Sequence, residues 1–194
     1  ALITDQNNNI YITGTFSGTV DFDPNPASST TLTATAVGYD MFVLKLDAAG
    51  NFQWVKGILG SSFTRPGAIE LEENSSGNLF IYLTGMNNGT TDYNPDPGTS
   101  NSITSGSGSG DPFILKLDDT GAFLWVNSFA GTFTNDAING NTSGFAIKFE
   151  ENSGKLFLSG SFKGSLNFST FTLNALNPNG VDAFLTEIDP TSGA

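Results

Sequence analysis

A repeat of 71 residues constrains this chain more than any other feature of its sequence. Residues 42–50 read FVLKLDAAG, and residues 113–121 read FILKLDDTG at an offset of 71. A looser copy, FLTEID, occupies residues 184–189 after the same interval, and Trp54 and Trp125 keep the same spacing. Because a fixed period of this kind dictates architecture, we expect a chain built from repeated supersecondary units.

Each repeat is predicted to hold four β-strands and an inserted arm. In the second repeat Ile69 and Leu71 alternate with Glu70 and Glu72, which is typical of a half-buried strand. The four strands of this repeat are predicted at residues 68–73, 79–85, 113–117 and 123–129. Those of the first repeat are predicted at residues 1–5, 10–14, 41–47 and 52–58. The third repeat offers only three, at residues 145–150, 156–160 and 183–189.

The fold class that follows is all-β and β-propeller-like, with three four-stranded blades of about 71 residues and inserted arms. We expect one domain over residues 1–194, with repeat units at about 1–67, 68–144 and 145–194. The third blade is expected to lack its outer strand. The arms, at residues 20–35, 91–104 and 166–173, are expected to lie outside the four-strand cores.

The repeat also resembles a known family. Residues 18–24 (GTVDFDP), 40–47 (DMFVLKLD) and 54–56 (WVK) are similar to secreted bacterial SBBP-type β-propeller repeats. The resemblance implies a propeller fold and an extracellular or cell-surface location in bacteria, but no particular reaction. The third unit departs from the pattern, because SLNFS at residues 165–169 replaces the Asp-Phe-Asp-Pro turn and Glu187 replaces the lysine. Since propellers usually have four to eight blades, the chain is cut from a longer ring, forms a three-bladed body or is completed by neighbouring copies.

Composition excludes several classes of function. The chain has no Cys and no His, which excludes disulfides, thiolate chemistry, Ser-His-Asp hydrolysis and His-based metal sites. Seven Lys+Arg against 19 Asp+Glu give a net charge of −12, which repels nucleic acid and anionic membrane surfaces. We therefore expect neither as a partner, and no enzymatic activity.

Acidic turns in the first two arms are the candidate metal site. Asp21 and Asp23, and likewise Asp92 and Asp96, place oxygen ligands at alternate positions beside prolines, with Asn25 and Asn94 completing the pattern. Such oxygens suit Ca²⁺. The alternative is that these residues form ordinary turns by bonding their own backbone. No other cofactor is expected.

Other recurring residues have a structural and a functional interpretation. The aspartates on either side of the third strand either cap turns or line a cation-binding channel, and capping is favoured. Those before the strand are Asp40, Asp111 and Asp182, and those after the strand are Asp47, Asp118 and Asp189. Lys45 and Lys116 lie mid-strand beside apolar residues, and we expect either a solvated strand face or a cross-strand ion pair with Glu70 or Glu72 rather than a catalytic lysine. Aromatic residues are predicted to pack between blades rather than stack on sugars; they are Trp54, Trp125, Tyr39 and Tyr93. The acidic pairs at 72–73 and 150–151 are predicted to be solvent-exposed, and the glycine-rich run at 105–110 is read as a flexible arm tip.

The leading functional hypothesis is a non-catalytic extracellular structural protein that assembles into a homopolymer such as a filament, tube or surface layer. A sheet edge without its outer strand presents unpaired N–H and C=O groups, to which a strand or arm of another copy could add. The arms are expected to be buried between subunits. The alternative is an extracellular module that binds a glycan or a protein.

Overall fold

The computed structural model describes residues 1–35, 38–106, 110–132, 143–168, 170–177 and 181–194. These residues form eighteen β-strands and no helix, which confirms the all-β class. Within those ranges there is accordingly no helix with the length and apolar character needed to cross a membrane.

The first unit is a four-stranded antiparallel meander with a hairpin arm. Its strands are β1 (Leu2–Thr4), β2 (Ile10–Phe16), β3 (Thr19–Asp21), β4 (Thr31–Thr33), β5 (Asp40–Leu46) and β6 (Phe52–Gly60). Strands β1, β2, β5 and β6 lie side by side in that order. The arm is the separate hairpin β3–β4, which pairs Val20 with Leu32.

The second unit repeats this arrangement. Its strands are β7 (Phe63–Glu73), β8 (Leu79–Asn88), β9 (Thr90–Asp92), β10 (Ser102–Thr104), β11 (Asp111–Asp118) and β12 (Phe123–Ser128). Strands β7, β8, β11 and β12 form one sheet, as the repeat predicts. The first strand of this unit is longer than the predicted 68–73, because β7 already begins at Phe63 and continues through a bulge between Pro66 and Ala68.

The third unit contributes a three-stranded sheet. The remaining strands are β13 (Gly131–Thr132), β14 (Ser143–Glu150), β15 (Lys155–Phe162), β16 (Ser165–Phe168), β17 (Phe171–Asn174) and β18 (Asp182–Ile188). Strands β14, β15 and β18 pair in that order, so one edge of β18 has no strand beside it in the described residues. As in the second unit, the first strand begins before the predicted strand start at residue 145, at Ser143.

The second and third arms pair with the unit that precedes them. Strand β9 joins the end of β6, with Gly60 opposite Thr91, and so extends the first sheet to six strands. Strand β16 joins β13 in the same way, with Gly131 opposite Leu166. Gly131 follows Gly60 by one repeat length. These two arms lie outside the four-strand cores of their own units, as expected, and their backbone groups pair with the end of the fourth strand of the preceding unit or with the strand that follows it.

The hydrophobic core lies between consecutive sheets. The face of the first sheet that carries Tyr11 and Val43 is called its back face, and the opposite face is called its front face. The same terms are used for the corresponding faces of the other two sheets. Tyr11 and Val43 pack against Leu83 and Phe113 on the front face of the second sheet, and all four are fully buried. On the back face of the second sheet Tyr82 and Ile114 pack likewise against the front face of the third; the front-face residues in that cluster include Ile147, Phe149, Leu156, Leu158, Phe184 and Ile188.

Candidate functional site

A row of side chains crosses the back face of each of the first two sheets. Strand register aligns Tyr11, Lys45 and Trp54 in the first sheet. The second sheet aligns the corresponding residues, Tyr82, Lys116 and Trp125. Residues paired across antiparallel strands share one face of the sheet, so each row presents hydroxyl, ammonium and indole donors to the next unit.

The donors of each row bind a backbone carbonyl in the next unit. The carbonyl of Asp119 accepts hydrogen bonds from Trp54 Nε1 at 3.1 Å and from Lys45 Nζ at 3.5 Å. The carbonyl of Pro190 accepts from Lys116 Nζ at 3.0 Å and from Tyr82 OH at 3.3 Å. Both carbonyls belong to the second residue of the turn that follows the third strand of a unit. The same turn therefore docks on the same row at both junctions.

Glycines in these turns lie against the tryptophans. Gly121 has a φ of 79°, and a Cβ atom built there would lie 2.8 Å from Lys56 Cγ and 3.2 Å from Trp54 Cζ3. Gly193 has a φ of 77°, and its Cβ would lie 2.5 Å from Trp125 Cζ3. Glycine is required here both for the left-handed backbone and for the close approach of the turn to the indole ring.

Lys116 is held by a largely buried ion pair. Its Nζ lies 3.1 Å from Glu72 Oε2, and the two side chains are 8% and 13% exposed. This confirms the predicted pairing of Lys116 and shows that the predicted solvent exposure of Glu72 is wrong. Tyr82 OH also donates to Glu72, and burial, reinforced by this acceptor and its charge, raises the pKa of Tyr82. In the first sheet Lys45 instead lies 5.1 Å from the ring centroid of Tyr11.

The third sheet has a different row. Phe157 and Glu187 occupy the positions of Tyr82 and Lys116. Lys155 Nζ lies 2.8 Å from Glu187 Oε2, so a cation is still present, although the neighbouring strand supplies it. This ion pair is half exposed, at 48% and 53%. The back face of the third sheet has no sheet packed on it within the described ranges.

The back face of the third sheet is more exposed to solvent than the back faces of the first two sheets. Leu185 is 72% exposed, whereas Val43 and Ile114, at the same position of the first and second sheets, are fully buried. Ala183 is exposed beside it on β18. The third sheet therefore exposes a leucine at a position that the next unit covers in its two counterparts.

The aspartates before the third strand tie each arm to its sheet. Asp40 accepts hydrogen bonds from the backbone N–H groups of Gly60 and Thr35, both at 2.8 Å. Asp111 accepts from Gly131 at 3.2 Å and from Gly106 at 2.7 Å. Asp182 accepts from the backbone N–H of Leu176 at 2.7 Å. These bonds confirm that the three residues cap backbone turns.

The aspartates after the third strand cap turns as well. Asp47 Oδ1 accepts from the backbone N–H groups of Ala49 and Asn51, and hydrogen bonds, first from Asn51, lower the pKa of Asp47. Asp118 and Asp189 accept from the backbone in the same way. Their predicted capping role is confirmed.

The candidate calcium ligands bond their own backbone. Asp21 Oδ1 accepts from the N–H groups of Asp23 and Thr30, and Asp23 Oδ1 accepts from Asn25. The second arm repeats the pattern: Asp92 accepts from Asn94 and Asn101, Asn94 accepts from Asp96, and Asp96 forms an ion pair with Lys56 at 3.1 Å. Within the described ranges no group of three acidic side chains converges in a way that could hold a metal ion. Calcium binding by Asp21, Asp23, Asp92 and Asp96 stays a prediction.

The remaining candidates are dispersed over the molecule. Tyr93 is buried against Phe113, with ring centroids 5.0 Å apart, whereas Tyr39 is half exposed. Glu150 caps the β14–β15 turn, and hydrogen bonds from Ser153 and then Asn152 lower its pKa to about 2. Residues 107–109 of the glycine-rich run lie outside the described residues.

Comparison with known proteins adds no family assignment. No family model matches the chain, and no curated protein matches it either. The candidate functional site is therefore defined by its geometry alone: a back face that is covered by the next unit at two junctions and that no described sheet covers in the third unit.

Proposed function

We propose that this chain is a non-catalytic extracellular structural protein whose copies assemble into a homopolymer through the back face and edge of the third sheet. The observation that carries the proposal is the exposure of Leu185, at 72%, where Val43 and Ile114 are fully buried. At the two internal junctions, covering this position is what joins one unit to the next.

The energetics of exposed apolar surface support the proposal. Burial of a Leu side chain stabilises a contact by roughly 2 kcal/mol. The unpaired edge belongs to β18, the strand that carries Leu185, and it offers backbone groups to an added strand.

The propeller-like arrangement belongs to the same proposal. Two meanders of four strands and one of three, stacked front face to back face, have the strand order that blades require. A bacterial extracellular or cell-surface location is supported by the resemblance to SBBP-type repeats and by a cysteine-free, acidic composition. Neither nucleic acid nor a membrane surface is proposed as a partner, because the net charge is −12.

Light scattering over a range of micromolar concentrations tests the proposal. We expect the wild-type chain to form large species and Leu185→Glu to remain small, with an unchanged circular dichroism spectrum, because the substituted side chain is already in water. Leu176→Glu is the matched control, since Leu176 is more exposed but lies outside the back face, and it should assemble like the wild type. A wild-type chain that stays monomeric at every concentration would contradict assembly and favour the alternative, a module that binds a glycan or a protein.

A further inference from the structure

The front face of the first sheet is the only front face without a sheet packed on it among the described strands. Ile10, Ile12 and Leu46 are half-buried there. Their counterparts in the second sheet, Ile81, Leu83 and Leu117, are fully buried against the first sheet. The molecule thus presents an incompletely covered front face at one end of its stack and an uncovered back face at the other.

The corresponding turn of the first sheet has open space beside its glycine. Residues 47–50 correspond to residues 118–121, whose glycine lies against Trp54. Gly50 has a φ of 83° like its counterparts, but a Cβ built on it meets no atom within 4 Å. The carbonyl of Ala48 corresponds to that of Asp119, which accepts hydrogen bonds from the preceding sheet.

We propose that a second copy of the chain packs the front face of its first sheet on the back face of the third sheet, with the carbonyl of Ala48 beside Lys155. This inference rests on the proposed function and names its partner surface. The two internal junctions supply the pattern: an apolar front face covers the position of Leu185, and a turn carbonyl binds a lysine of the back-face row. Lys155 provides that donor, because its Nζ lies 2.8 Å from Glu187, which occupies the position of Lys116.

The proposed contact is head-to-tail. It joins two different surfaces, so after the first contact one copy retains its free front face and the other retains its free back face. Heterologous contacts of this kind close into a ring or extend as a helical filament, depending on the rotation between copies. An isologous dimer, in which two back faces meet, is not expected. It would place the Lys155–Glu187 pair of one copy against the same pair of the other copy, and no turn carbonyl would lie beside Lys155.

Single-cysteine variants test the contact directly, because the chain has no native cysteine. Ala48→Cys and Glu187→Cys are prepared separately, mixed in equal amounts and treated with a short bifunctional maleimide. We expect a covalent dimer in the mixture and none with either variant alone. Ser76→Cys, on the exposed β7–β8 turn, replaces Ala48→Cys in the control mixture, which should give no dimer with Glu187→Cys.

Light scattering of the same samples before cross-linking separates the two proposals. Assembly with an efficient cross-link only between the Ala48 and Glu187 variants supports both. Assembly with no such product, or with equal product in the Ser76 control, overturns the proposed contact and leaves the proposed function standing. Absence of assembly in wild-type and variant chains alike overturns both.

Discussion

The indole Nε1 of Trp54 donates a hydrogen bond of 3.1 Å to the backbone carbonyl of Asp119, and this bond joins the first sheet to a turn of the second. The corresponding indole, Trp125 Nε1, is buried and has no hydrogen-bond partner among the described residues. The two tryptophans occupy the same repeat position but make different contributions to their junctions.

This difference predicts unequal effects of the same substitution. Trp54→Phe should lower the free energy of unfolding by about 1 kcal/mol more than Trp125→Phe, because only Trp54 loses a hydrogen bond while both lose similar ring volume. Urea denaturation at equilibrium measures the difference. Equal losses would mean that the bond to Asp119 contributes nothing at the first junction.

The two Lys–Glu pairs on the back faces should also differ in their contribution to stability. Lys116→Met leaves the largely buried Glu72 without its cation and should cost about 3 kcal/mol. Lys155→Met removes a half-exposed partner of Glu187 and should cost less than about 1 kcal/mol in the monomer. Thermal denaturation of both variants provides the comparison. A Lys155 variant as unstable as the Lys116 variant would contradict the assignment of the exposed pair.

Asp111 should hold the second arm to its sheet. Asp111→Ala removes the acceptor for the backbone N–H groups of Gly106 and Gly131 and should cost about 3 kcal/mol, because the carboxylate is buried. Hydrogen exchange at these two amides should accelerate more than exchange in β8. Asp47→Ala, in an exposed turn, is the control and should cost clearly less than Asp111→Ala. Unchanged exchange at Gly106 would show that the carboxylate does not restrain the arm.

Stability should fall in acid partly through Glu150. Its folded pKa, about 2, lies below the ordinary value of 4.5, so its contribution is present above about pH 4.5 and is lost as the pH falls towards 2. Glu150→Gln should therefore lose less stability than the wild type between about pH 6 and about pH 3. Urea midpoints at the two pH values measure this. Identical losses in the two proteins would show that the turn bonds to Glu150 do not favour its ionised form.

The strands were largely predictable from sequence because their signals are local. Alternation of Ile69 and Leu71 with glutamates placed β7, and the repeated Phe-x-x-Lys-Leu-Asp motif placed β5 and β11. The early start of β7 at Phe63 was missed because Pro66 interrupts the pattern, and a bulge accommodates the irregularity. Capping by Asp40 and Asp111 was also predictable, since one residue type recurs at one backbone bend.

The pairing of the arms could not be predicted from sequence. The strand β9 has three residues and carries no distinctive pattern, and its partner, the end of β6, lies in the preceding unit. Pairing across this distance depends on the way the sheets stack, which no local window contains. The row of side chains on the back faces is visible in the sequence in one way: Lys45 and Trp54 recur at the repeat distance as Lys116 and Trp125, together with the turn glycine, which indicates a contact made by both of the first two units.

Hydrogen exchange in the strand β18 tests the central claim most directly. If a second copy covers the back face and edge of the third sheet, the amides of Asp182–Ile188 that point away from β15 should be protected at high protein concentration and exchange rapidly on dilution, whereas those bonded to β15 are protected by the chain itself. The amides of β11 should be protected at both concentrations, because the chain itself covers them. Exchange in β18 that is independent of concentration, while β11 stays protected, would contradict the claim that copies of this chain cover the third sheet.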